Sequence, residues 1–315
     1  MIDIIQLSFV SIIPLLIVAL GGLISERSGV TNIALEGIML MGAFIGIWTI
    51  RIIEGGSLPT QLVFLIGIII GGIVGAIYSM LHAYASIYMK ADQTISATAL
   101  NLFAPAFAIF TARTIIGGQQ VQFRSVFRIS EVPLMSKIPL IGDIFFKNAF
   151  ISFYLGIILL ILVCIFLYKT KTGLRLRACG ENPHAADSLG INIYKIRFFS
   201  VVASGFFAGM GGVIFVATTA LEFNATVAGF GFLSIAVLIF GNWKPYRILF
   251  AAVFFGLMRT LANSYMNIDF LNNLNIPTEF YQMSPYVVTL IILAFFSKRS
   301  QAPKAVGQVY DQGKR

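Results

Sequence analysis

Charge is scarce in this sequence. Only 11% of its 315 residues are Asp, Glu, Lys or Arg, against about a quarter in soluble domains. Hydrophobic residues make up 58% and the mean hydropathy is +0.89. A chain of this length cannot bury so much apolar surface in water, which excludes a soluble globular fold. Histidine is rarer still. His82 and His184 lie far apart, and no Cys/His group has metal-ligand spacing, so no metal site and no catalytic set is expected. The two cysteines, Cys164 in an apolar run and Cys179 in a polar stretch, offer no disulfide framework and read as small packing residues. No Gly-x-x-x-x-Gly-Lys-[Ser/Thr] occurs; the lone Gly-Lys pair, Gly313 and Lys314, is followed by Arg315. The chain therefore carries no P-loop with which to hydrolyse ATP. Its first seven residues include Asp3 but no Lys or Arg. The basic n-region of a cleaved signal peptide is missing, and the first apolar run reads as a retained span.

Long apolar runs are abundant. A helix crossing the hydrocarbon needs about twenty residues. On that ruler the spans fall near 5–24, 33–53, 62–88, 94–116, 149–168, 196–217, 229–240, 248–264 and 285–296. The run at 229–240 is too short for a regular crossing and reads as a broken or re-entrant helix. The expected fold is an all-α integral membrane protein with eight to ten transmembrane helices, some short or broken. Residues 1–300 form a single transmembrane domain, and 301–315 a polar cytoplasmic tail.

The net charge of +9 does not point to nucleic acid, because the basic residues sit in short clusters between apolar runs, as membrane-protein charges do. The largest cluster is residues 169–197, with Lys169, Lys171, Arg175, Arg177, Lys195 and Arg197. Placing it inside and alternating outward puts fifteen of the 22 Lys/Arg on the inner side. The chain is then a multi-pass protein of the cell membrane, N-terminus outside and C-terminus cytoplasmic. The segment 117–148, with Pro133, Pro139 and Gly142, reads as an irregular external loop. Gly67, Gly71 and Gly75 form a small-xxx-small ladder echoed by Gly205 and Gly209. This pattern suits close helix packing, or a faint internal repeat.

Few polar groups lie near the spans. Glu36, in SGVTNIALEG at 28–37, either lines a path or complements its own helix terminus. Thr94, Thr98 and Asn101 are spaced i, i+4 and i+7, one helix face. That face meets other helices or an aqueous path. Arg259 reads as snorkelling to the outer interface, and His82 as interfacial packing. Within the basic cluster, Asn182 can cap a short helix, Pro183 suits its first turn and Gly190 its end. A short helix there, held beneath the membrane by two basic arms, would act as a lever.

The phrase RACGENPHAADSLGINIYKIR at 177–197 resembles the cytoplasmic loop of ABC-importer permeases of the ribose and branched-chain amino-acid class. Gly180, Glu181, Asn182, Pro183, Ala185, Ala186, Gly190 and Ile191 match in register. The resemblance implies that Glu181 to Gly190, Leu189 included, form the coupling helix that seats in an ATP-binding subunit. SERSGVTNIALEGIMLMGAF at 25–44 resembles the nucleoside branch of this class, and GFGFLSIAVLIFGNWKP at 229–245 its second-half motif. At 92–101 the chain departs from the family pattern, with Asp92 and Ala97 where Asn and Gly are commoner. The implied activity is that of a permease subunit of an ATP-driven nucleoside importer, working by alternating access. A sugar or other small polar solute is the alternative cargo, and an ion-gradient-driven secondary transporter the alternative machine. The resemblance implies two ATPase subunits carrying ATP and Mg, a second permease that is often non-identical, and an external binding protein, in this branch often a lipoprotein. Membrane lipid is a further expected partner, and no cofactor is expected on this chain. The candidate translocation residues are Asn32, Glu36, Thr94, Thr98, Asn101, Phe230 and Phe232.

Overall fold

The computed structural model describes residues 2–133, 135–139, 141–265 and 301–313, with positions 277, 279–281, 283, 284, 287, 288 and 290 between them. Helix α1 (Ile2–Arg27) is apolar on every side, and such a helix belongs at the centre of a bundle. It sits there: Leu15, Leu16, Ile17, Val18, Leu20 and Leu23 are fully buried. After a non-helical stretch at 28–34 come α2 (Leu35–Ile53) and α3 (Thr60–Ala83), which ends in a π-helical turn (Tyr84–Tyr88). Helix α4 (Gln93–Ile116) starts at Asp92, whose Oδ1 accepts from the Thr94 and Ile95 amides at 2.8 and 3.0 Å. Asp92 is thus a good N-cap.

The segment between α4 and the next span is not irregular. It holds β1 (Val121–Gln122), β2 (Arg128–Glu131), the short α5 (Ile141–Phe145) and β3 (Lys147–Phe150). Strands β2 and β3 pair antiparallel, Arg128 opposite Phe150. β1 pairs with β4 (Glu222–Phe223), Val121 opposite Phe223. Beside a membrane, backbone groups need such partners. The chain continues through α6 (Ile151–Lys169), α7 (Lys171–Glu181), α8 (Pro183–Ser188), α9 (Ile193–Thr219), α10 (Phe230–Phe240) and α11 (Pro245–Ser264).

Among the described residues, seven helices (α1, α2, α3, α4, α6, α9 and α11) are long and apolar enough to cross a membrane. Helix α10 has 11 residues, about 16 Å at 1.5 Å per residue, half the hydrocarbon thickness. The expected span at 285–296 lies largely outside the described residues. The chain is an all-α membrane protein, with four short strands at one end among the described residues.

Helices α2, α3 and α9 cross where the two glycine ladders meet. A Cβ on Gly209 would strike the Gly71 carbonyl oxygen, and one on Gly75 the Gly205 carbonyl oxygen. One on Gly42 would lie 2.8 Å from the Gly71 oxygen and 2.9 Å from that of Gly209. Lipid tails are as apolar as side chains, so helices in lipid associate through close packing of this kind. The two ladders are therefore each other's partners. By contrast α4 and α6 bury only 22% and 28% of their apolar stretches, which places them on the outside.

At the end opposite the strands, the first basic arm is itself a helix. Thr170 Oγ1 accepts from the Gly173 amide at 3.0 Å, capping α7, whose Gly173, Leu176, Cys179 and Gly180 face inward. Trp243, between α10 and α11, donates its indole N–H to Glu26, and its carbonyl accepts from Arg27 Nη2 at 2.7 Å.

Candidate functional site

Between α1 and α2 the backbone at 28–34 leaves the helix, with Gly29 at φ +98°. Its groups cannot rely on the i→i+4 ladder, so in a membrane side chains must satisfy them. Ser25 Oγ donates to the Val30 carbonyl at 2.8 Å. The Thr31 amide donates to Gln93 Oε1 at 2.8 Å. His82 Nε2 lies 3.0 Å from the Thr31 carbonyl and Nδ1 3.1 Å from Ser96 Oγ. A carbonyl only accepts, so Nε2 carries the proton and Nδ1 accepts from the hydroxyl. Asn101 closes the break: its Nδ2 donates to the Ile33 carbonyl at 3.0 Å, and its Oδ1 accepts from the Gly37 amide at 2.8 Å. Asn32, 1% exposed, donates from Nδ2 to Ser204 Oγ at 3.0 Å.

Glu36 lies in the first turn of α2, but its carboxylate serves another helix. Oε1 accepts from the Gly229 amide at 3.0 Å, and Oε2 from those of Gly231 and Phe232 at 2.7 and 3.3 Å. These are the first amides of α10. The start of a helix presents unpaired N–H groups and a positive end, and an anion there compensates it. Gly231 permits the approach, because a Cβ would collide with the backbone of Glu36. Gly229, at φ +76°, turns the chain into the helix.

The second site is α8. Asn182 Oδ1 accepts from the Ala185 amide at 3.1 Å, Pro183 takes the first helical position, and Gly190 closes the turn at φ +78° with open space around it. Ala186 is buried, and the helix turns Asn182, His184, Ala185 and Ser188 outward. Leu189, next to it, is 82% exposed.

A family model described as a branched-chain amino acid transport system permease component matches residues 4–293. The chain belongs to this permease family. The permease is 40% identical to the nucleoside ABC transporter permease protein NupC of Lactococcus lactis subsp. cremoris, over 96% of this chain and 94% of that one. To the guanosine ABC transporter permease protein NupQ of Bacillus subtilis it is 39% identical, with the same coverage. A second nucleoside ABC transporter permease protein of the same Lactococcus, NupB, is 25% identical over 93% of this chain and 79% of that one. The permease is thus a multi-pass membrane component of a multi-subunit ABC system.

The permease gathers some of the expected path residues and separates others. Glu36, Asn101 and Phe232 meet around the break and the start of α10, and Phe232 is 50% exposed. Phe230 points inward, its ring 4.2 Å from that of Phe215 and 5.8 Å from the Arg259 guanidinium. Arg259 therefore stacks on an aromatic face. Thr94 and Thr98 are exposed on the outer side of α4, where Thr98 Oγ1 donates back to the Thr94 carbonyl at 2.8 Å. The face of α4 turned inward is Gln93, Ala97, Ala104, Ala108 and Ala112. In the α8 site, Gly180 and Ala186 are buried. The environment of Gly180 is backbone: a Cβ there would meet the Arg27 carbonyl. Glu181 is exposed, and Oε1 lies 3.7 Å from Arg27 Nη1. Gln93 belongs to the polar stripe that the sequence shows at the start of the fourth span, whereas His82 and Gly231 were not among the path candidates. Their partners lie 51 and 195 residues away, and no local spacing marks such pairs.

Proposed function

We propose that the permease is one of two membrane subunits of an ATP-driven importer of nucleosides. The observation that carries this is the 40% and 39% identity, nearly end to end, to permeases named for nucleosides and guanosine. In this reading the N-terminus is outside and the α8 end cytoplasmic. A pair of ATPase subunits holds ATP and Mg, and one of them receives α8 through Leu189, His184 and Ala185. The NupB and NupC pair supports a second, non-identical permease as the other half of the membrane unit. An external binding protein delivers the nucleoside and sets most of the specificity. The path runs along the side where Glu36, Asn101 and Phe232 meet, and the exposed Thr94 and Thr98 face the second permease across it. Closure of the ATPase pair favours one position of α8, and so one opening of the path, only to the extent that nucleotide binds that state better.

Uptake of labelled guanosine by cells with and without the chain tests the reading. Uptake should depend on the chain and be competed by unlabelled nucleosides but not by ribose or glucose. Competition by the sugars alone would assign the cargo to them. Leu189→Asp tests the docking role. Leu189 is so exposed that the membrane fold should be unchanged, while a charge at the centre of a contact should lower ATPase co-purification by about tenfold or more. Wild-type co-purification would place the ATPase elsewhere.

A further inference from the structure

Residues 301–313 lie across the α8 end of the bundle and touch the α1–α2, α3–α4 and α10–α11 turns and the end of α7. The Gln301 amide donates to Asn242 Oδ1, between α10 and α11, at 2.6 Å. The Ala305 amide donates to the Gly180 carbonyl at 2.9 Å, and the Gly307 amide to the Gly29 carbonyl at 3.2 Å. Asp311 pairs with Lys90, in the α3–α4 turn, at 3.0 Å. Tyr310, 5% exposed, packs in a small apolar cluster with Cys179, Ala186 and Ile193. Its ring lies 5.1 Å from that of His184 and 5.5 Å from that of Tyr194.

Arg197, on the second turn of α9, joins this segment to the break. It is 2% exposed. Nε donates to the Ser28 carbonyl at 3.2 Å and Nη1 to the Gln308 carbonyl at 2.9 Å, and the guanidinium lies 6.0 Å from the Tyr310 ring centre. Burying a guanidinium is costly unless its hydrogen bonds are met. Here the α1–α2 break and the C-terminal segment supply one acceptor each, and Nη2 has no hydrogen-bond partner among the described residues.

We propose that residues 301–313 are a strap that carries the movement of α8 to the break at 28–34, with Tyr310 as the positioning residue on α8. The contacts form a continuous chain. His184 and Ala186 of α8 hold Tyr310. The strap holds Gly29, and Arg197 holds both Ser28 and the strap. From the break, Asn101 and Glu36 lead to the start of α10. The inference rests on α8 being the ATPase contact.

The test uses the assembled transporter in proteoliposomes, with Cys164→Ser so that Cys179 is the only thiol on this chain. Cys179 is fully buried beneath the strap, and burial pushes its thiol pKa up to about 11. It therefore alkylates slowly near neutral pH while the strap is in place. Tyr310→Ala should speed its alkylation by about tenfold or more, as the thiolate becomes accessible. Uptake per ATP hydrolysed should fall by about fivefold, the scale of two lost ring contacts, while the ATPase still co-purifies. Tyr310→Phe keeps the ring and should restore both values. If Tyr310→Ala leaves Cys179 protected, a chain ending at residue 300 is measured in the same way. An accessible Cys179 with wild-type uptake per ATP would overturn the proposal. So would loss of the ATPase, which would make the strap a docking contact rather than a link. Failure of the underlying reading looks different: Leu189→Asp would then keep its ATPase.

Discussion

Gly209→Leu is expected to leave almost no folded permease in the membrane. The residue lies where α2, α3 and α9 cross, and the first atom a Cβ would meet is the Gly71 carbonyl oxygen, with the Gly75 Cα at 3.1 Å. Flexible side chains can yield by changing rotamer, but two packed backbones cannot. The helices would have to separate, losing the contacts that hold helices together in lipid. Overpacking of a tight site costs about 1–3 kcal/mol even where side chains can adjust. With backbone on both sides the loss should reach the upper end or beyond, a large share of a typical stability of about 5–15 kcal/mol. Gly55→Leu is the control, because nothing lies within 4 Å of a Cβ there. Yield of monodisperse protein and its melting temperature are the readouts. A Gly209→Leu protein with wild-type yield and melting temperature would show that the crossing is looser than this packing requires.

Glu36→Ala carries the second large effect. Three amides at the start of α10 lose their acceptor, and donors left unsatisfied away from water cost about 1–3 kcal/mol each. Allowing for partial hydration near the half-exposed Phe232, a loss of about 2–4 kcal/mol is expected. Uptake should be abolished, because α10 would no longer be fixed to α2. Glu36→Gln should not rescue it. One amide oxygen can serve Gly231 and Phe232, but the NH2 group would then face the Gly229 N–H, donor against donor. Thermal melting and uptake together separate two roles. A lower melting temperature and no uptake fit the cap. Unchanged melting with a changed apparent affinity for nucleoside would instead make Glu36 a path residue only.

Local features were read well from the sequence because their causes are local. Asn182, Pro183 and Gly190 delimit α8 through capping, a fixed φ and a positive φ, all written in one short phrase. Within the described residues the long apolar runs match the long helices, and the short run at 229–240 is the half-length α10. The glycine ladders were visible, but their facing one another was not, since α3 and α9 are far apart in the chain. The same holds for Glu36, whose amide partners lie 193 to 196 residues on. Its placement in the first turn of α2 invited an explanation from its own helix dipole. On α4, polar spacing pointed to Thr94, Thr98 and Asn101 as one face. Only Asn101 reaches the break, because α4 packs on α2 through alanines and leaves both threonines outside. Strands β1 and β4 pair across about a hundred residues, and residues 301–313 read as a polar tail because their partners are turns scattered over the chain.

The most direct test of the whole account is guanosine uptake into proteoliposomes containing the permease, its partner permease and the ATPase, with the binding protein outside. Uptake should require ATP on the α8 side and persist when ionophores dissipate every ion gradient. Uptake driven by an imposed gradient in vesicles without ATPase or ATP would contradict it.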